Sequence, residues 1–276
     1  MGNSLQGVNR FLTMEVNRIK YPETHWIRSD DREKSLNFYL EQQSKVYSRI
    51  KNAFIKELAG NLKDKDFMDY GCGAGFFIIY GAEQQALSIT GVDGEEKILD
   101  TARYFAEKKG FHRECDFICS ETMPSFQEEK KFDVILLKDV IEHVKDDEKL
   151  LKNAAGLLKP EGSVIISTQN SFSLNYLLEG SWEYFIKGNK TWCGWDPTHI
   201  RFYTPLGLRE KLKKAGLKSV EWRSAYIVPY KIPSFPWSQK SFIRIDSLSI
   251  IDKIFGRIFP FNQMGWNITV KVIPIR

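Results

Sequence analysis

From residue 65 onward, short apolar runs alternate with amphipathic stretches. The runs are Phe67–Tyr70, Ser88–Asp93, Asp116–Cys119, Phe132–Leu137 and Gly162–Ser167. Between them, residues 75–86, 95–109 and 146–158 carry apolar side chains at helical steps. Continuous apolar strands separated by helices predict a parallel sheet buried on both faces, the doubly wound α/β pattern. Pro160-Glu161-Gly162 reads as the turn into the fifth strand.

Outside that alternation the pattern changes. Lys34 to Leu58 reads as one helix, preceded by an irregular arm with His25 and Trp26. Beyond residue 170 the alternation stops, and an aromatic stretch runs from Phe172 to Trp195. A helix from Pro205 to Ala215 closed by Gly216 follows. Strands are expected near 217–228 and 266–274, with a Pro-rich loop and an amphipathic helix near 239–258 between them. The division expected is an arm and helix over 1–60, packed on the core, and one main domain over 61–276. That domain carries a lid insertion at 170–200 and another insertion at 229–265.

At 276 residues, 42% hydrophobic and 27% charged, the chain is an ordinary globular one. No run reaches the ~18 apolar residues that span a bilayer, and Met1–Arg10 lacks an apolar signal core. Cys72, Cys115, Cys119 and Cys193 form no C-x-x-C pair, which fits a reducing cytoplasm. The net charge of +5 is uneven: residues 201–276 hold 14 Lys+Arg against 4 Asp+Glu. Such a basic third meets an anionic partner or is simply a solvated face.

The sharpest feature is Asp69-Tyr70-Gly71-Cys72-Gly73-Ala74-Gly75, between a strand and a helix. Glycines admit a ligand close to the backbone, beside the free N–H groups of a helix N-terminus. A dinucleotide fingerprint needs its third glycine at position 76, which is Phe76. The carboxylate at Asp69 suits a cationic ligand such as S-adenosylmethionine better than a pyrophosphate. Asp93 ends the next strand, where an acid accepts both ribose hydroxyls.

On these residues the chain resembles a class I S-adenosylmethionine-dependent methyltransferase. Asp69–Gly75 is similar to that family's first motif, Phe132–Val144 to its fourth-strand motif, and Leu157–Gly162 to its Leu-Lys-Pro-Gly-Gly segment. The resemblance covers about residues 50–170. It implies a Rossmann-like sheet of seven strands, the last antiparallel. It also implies cofactor contacts at Asp69, Gly71, Cys72, Gly73, Gly75, Asp93 and Lys138. Cys119 stands where relatives place an adenine-binding Asp, so Ser120 or Glu121 is expected there.

Methyl transfer is an in-line displacement that needs alignment, dryness and a base for a hydroxyl acceptor. Asp139, Glu142 and His143 share one face if a helix begins there. They resemble the Glu-x-x-Glu-His stretch of quinone-biosynthesis O-methyltransferases, which is associated with a divalent metal. The reading preferred is no metal, with the acids capping the helix and His143 packed on the sheet or acting as base. Thr198-His199-Ile200-Arg201-Phe202-Tyr203-Thr204 resembles a segment of methyltransferases of glycan and lipid-linked saccharide pathways. There His199 is a base or a loop-fixing hydrogen bonder, and Arg201 an acceptor contact or a structural ion pair. Trp182, Trp192 and Trp195, with Tyr203, would line the acceptor or pack the lid. The stripe 240–258 suits a membrane surface, a sheet cover or a dimer contact.

The function expected is O-methylation of a saccharide, lipid-linked saccharide or related small metabolite. A quinone-type phenol, or a non-catalytic binding protein, is the alternative. No nucleic-acid partner is expected.

Overall fold

The computed structural model describes residues 25–124, 126, 131–190, 192, 194, 196, 198–233 and 242–276. Cys193, Trp195 and residues 234–241 of the Pro-rich loop therefore lie outside the described residues.

Seven strands form one sheet: β1 (Asp66–Tyr70), β2 (Ser88–Asp93), β3 (Cys115–Cys119), β4 (Phe132–Lys138), β5 (Leu158–Gln169), β6 (Leu217–Ala225) and β7 (Asn267–Pro274). Their order is β3-β2-β1-β4-β5-β7-β6. β1 to β5 pair in parallel, and β7 runs antiparallel to both β5 and β6. The winding reverses between β1 and β4. The carboxyl end of that junction is where an open α/β sheet binds ligands.

Both faces are covered, which explains why the strands read as unbroken apolar runs. On one face Met68, Ile135, Leu137, Val164 and Ile166 pack against Leu150, Leu151, Leu208 and Leu212. These belong to α5 (Asp147–Gly156) and α6 (Pro205–Lys214). On the other, Phe67, Val134, Leu136 and Ile165 meet Ile55, Leu58, Phe77, Ile78 and Leu99. Those come from α2 (Val46–Ala59), α3 (Phe76–Glu83) and α4 (Glu96–Lys109). Caps set the helix ends. Asp146 Oδ1 accepts from Lys149 N at 2.9 Å, and Thr204 Oγ1 accepts from Gly207 N at 3.0 Å beside Pro205. Gly216, at φ +75°, stops α6 as expected.

Four expectations need correction. The helix over 34–58 is two, α1 (Arg32–Ser44) and α2, broken at Lys45 in extended backbone. No apolar side chain pulls residues 41–45 inward, and Asn52 Nδ2 donates to Gln43 Oε1 across the corner at 3.0 Å. Pro160–Gly162 is an extended bulge of β5, where Phe132 pairs with Leu158 but Val134 with Ser163. Within 239–258 the described part begins as strand Phe242–Arg244, paired with Lys231–Pro233. Only α7 (Ser249–Phe255) is α-helical. Finally, no helix begins at Asp139: residues 141–143 form a single turn, and α5 starts at Asp147.

No described helix is long and apolar enough to cross a membrane.

Candidate active site

The loop after β1 is built by its glycines. Gly71, Gly73 and Gly75 have φ of +77°, +54° and +86°, a region that side chains avoid. A β-carbon on Gly71 would overlap Val140 Cγ2, and one on Gly73 would lie 3.5 Å from Trp26 and 3.7 Å from Tyr39. The Gly71 and Cys72 N–H groups donate to Val92 O at 2.7 and 3.0 Å, tying the loop to β2. Asp93 Oδ2 accepts from Gly73 N at 3.0 Å, and its Oδ1 from Glu95 N at 3.2 Å. Burial raises the Asp93 carboxyl, and these backbone donors oppose that rise.

Asp69 is 2% exposed, and its Oδ1 has no hydrogen-bond partner among the described residues. Burial lifts its pKa to about 7; Lys138 opposes the rise and Asp93 adds to it. An orphaned carboxylate beside a glycine cradle is a fitting seat for a cationic ligand. Ser120 and Glu121 flank the same rim. Ser120 N donates to Asp93 O at 2.8 Å, and Glu121 O accepts from Tyr70 Oη at 3.0 Å. The side chain of Ser120 is engaged locally, on Thr122 O at 2.8 Å.

Lys138 ends β4 and points inward, its ammonium 3.6 Å from Asp139 Oδ2. Lys51, from α2, pairs with the same oxygen. Together the two lysines hold the Asp139 carboxyl well below the usual range against the effect of burial. Lys51 was missed from sequence. Its signal is a cation in the inward helical row of half-buried Tyr47 and buried Ile55.

Glu142 is fully buried. Thr168 Oγ1 donates to its Oε2 at 2.8 Å, and its Oε1 has no partner among the described residues. Burial and nearby Asp139 raise its pKa to about 8. The rings of His143 and His199 lie 4.7 Å apart. Glu142, His143 and His199 each bring a ligand atom within 4.8 Å of the others. The buried hydroxyl of Tyr47 is likewise without a partner among the described residues, and Asp139 and Glu142 lie among its electrostatic neighbours.

The set Asp139, Glu142 and His143 does not assemble as spacing suggested. Asp139 has φ +54° and turns to Lys51, while His199 takes its place beside Glu142 and His143. One carboxylate and two imidazoles suit a divalent transition ion.

Arg201 and Tyr203 make structural contacts to Asp147. Arg201 Nη1 lies 2.7 Å from Asp147 Oδ2, and Tyr203 Oη donates to that oxygen at 2.7 Å with Ile141 O at 3.0 Å. They bind the loop to α5. Trp192 packs with Tyr176, Phe202 and Trp266 at 5.6–6.2 Å, which ties the insertion to the residue before β7. Trp182 is exposed on a wide π-type turn (Trp182–Ile186), next to Phe185, which is 76% exposed.

The reversed sheet, the glycine cradle and the acid after β2 define a class I methyltransferase that uses S-adenosylmethionine. The chain belongs to the family described as the methyltransferase domain, whose profile matches residues 39–221. It is 30% identical over 174 residues to a ubiquinone biosynthesis O-methyltransferase of Coxiella burnetii, covering 62% of this chain and 70% of that one. It is 31% identical over 186 residues to the protein of the same name from Idiomarina loihiensis, covering 66% and 73%. In fold it is similar to magnesium protoporphyrin IX methyltransferase from Synechocystis, solved with bound S-adenosylhomocysteine. That likeness has a TM-score of 0.54 at 16% identity over 99% and 95% of the two chains.

Proposed function

We propose that the chain methylates a hydroxyl of a phenolic, quinone-precursor type of acceptor. The carrying observation is the meeting of Glu142, His143 and His199 at the carboxyl end of β4, one turn from Val140, which abuts the glycine loop. The named relatives are quinone-pathway O-methyltransferases. They support a phenol over the saccharide expected from the Thr198–Thr204 segment.

S-adenosylmethionine supplies a methyl already activated on a sulfonium. Asp69 would face its ammonium, the Gly71–Gly75 backbone would lie along its body, and Asp93 would accept from its ribose. Ser120 and Glu121 border the adenine side. Lys138 and Lys51 keep Asp139 ionised and fixed. His143 and His199 present the nitrogen lone pairs that a hydroxyl proton requires. A divalent ion held by Glu142, His143 and His199 would act as a Lewis acid on the acceptor oxygen and would take the same lone pairs in place of the proton.

The test is a transfer assay with labelled cofactor and two acceptor panels, substituted catechols and hydroxylated saccharides, read by mass spectrometry. A mono-methylated catechol is the expected product. Methylation confined to the saccharides would reject the phenol reading.

A further inference from the structure

The loop that brings in His199 also grips His143. Asp196 Oδ1 accepts the backbone N–H of Thr198 at 2.8 Å and its hydroxyl at 2.6 Å. A threonine hydroxyl has one proton to give. With that proton on the carboxylate, Thr198 Oγ1 meets His143 Nδ1, 3.0 Å away, as an acceptor. The carbonyl oxygen of Thr198 also faces Nδ1, at 3.4 Å, and a carbonyl only accepts. Both oxygens call for a proton on Nδ1. The neutral ring then carries its lone pair on Nε2.

We propose that Asp196 and Thr198 are positioning residues that fix His143 as the Nδ1–H tautomer, so that Nε2 is its proton-accepting atom in methyl transfer. In the step served, the acceptor oxygen forms the new O–CH3 bond. The sulfonium C–S bond breaks with its electron pair passing to sulfur, and the hydroxyl proton passes to Nε2. An Asp–Thr–His chain orients an imidazole as a carboxylate does in a hydrolytic triad, with the hydroxyl interposed. The tautomer assignment holds for the protein alone; its catalytic consequence rests on the hydroxyl-acceptor reading above.

The two are tested separately. The chain has 4 histidines, so single His→Gln variants assign every imidazole in a nitrogen-15 histidine-labelled sample. Above the titration of the ring, His143 is expected to show a protonated Nδ1 and a bare Nε2. Thr198→Val should shift that ring toward the other tautomer, and Thr198→Ser should restore it. With a working acceptor, Thr198→Val should lower kcat roughly tenfold or more, leave cofactor KM unchanged, and recover in Thr198→Ser. A bare Nδ1 in the wild type overturns the proposal. So does a tautomer that Thr198→Val leaves untouched. If Thr198→Val does not fold, the wild-type spectrum decides. A correct tautomer with no transfer to any hydroxyl would count against the acceptor reading alone.

Discussion

Asp93 Oδ2 accepts the N–H of Gly73 at 3.0 Å, so the acid after β2 and the glycine loop after β1 are one unit. Asp93→Ala removes both the ribose acceptor and the strut that shapes the loop. We expect a loss of S-adenosylhomocysteine affinity of roughly two orders of magnitude, the equivalent of two charge-assisted hydrogen bonds at about 1.5 kcal/mol each. The far-ultraviolet spectrum should be unchanged. Isothermal calorimetry checks it, and wild-type affinity would reject the site.

Gly71→Ala faces two obstacles, φ +77° and the side chain of Val140. Cofactor binding should vanish and the melting temperature fall. Adding Val140→Ala removes the overlap but not the strained backbone, so the double variant should regain stability and not affinity. Thermal melts with and without ligand separate the two effects.

Asp69 links binding to pH. Its folded pKa, raised to about 7 by burial, lies above its unfolded value near 3.8. Its contribution to the ligand-free fold is therefore complete below pH ~4 and is lost as pH rises through about 7. Asp69→Asn should flatten the decline in melting temperature between pH 5 and 8 while weakening the cofactor. In the wild type, affinity should climb as pH passes through 7, because the cofactor's ammonium favours the ionised acid. Proton release measured calorimetrically in two buffers checks the sign.

Tyr203 tests the reassignment of the 198–204 segment. Its hydroxyl is spent on Asp147 and Ile141 O. Tyr203→Phe should cost about 1 kcal/mol of stability by removing a buried hydroxyl donor, because Arg201 and Lys211 still pair with Asp147, with acceptor KM unchanged. A large rise in KM without loss of stability would return Tyr203 to the acceptor site.

The sheet was legible because burial on both faces leaves an unmistakable run-and-helix texture, and the glycine loop because only glycine tolerates its backbone. The break at Lys45 was not. It comes from the missing pull of apolar side chains over 41–45 and a cross-corner bond, neither of which has a periodicity. Asp139 misled for a related reason. Spacing places residues on a helix face only where a helix exists, and Lys51, far away in the chain, held the aspartate in a left-handed turn instead. The pairing of His143 with His199 spans 56 residues and depends on β5 and the insertion returning to the same edge. The polar ends of Arg201 and Tyr203 were settled by the position of α5, which no local motif reveals.

Trp26 and Tyr39 lie against Gly73, their rings 4.9 Å apart and edge to face. The glycine loop is thus backed by the sheet on one side and touched by chain that comes before the sheet on another. Chain that precedes the sheet is therefore part of the packing that holds the glycine loop in shape. The Trp26 indole is a native fluorophore beside Gly73, so cofactor binding should change an emission that a Trp26→Phe variant separates from the other six tryptophans.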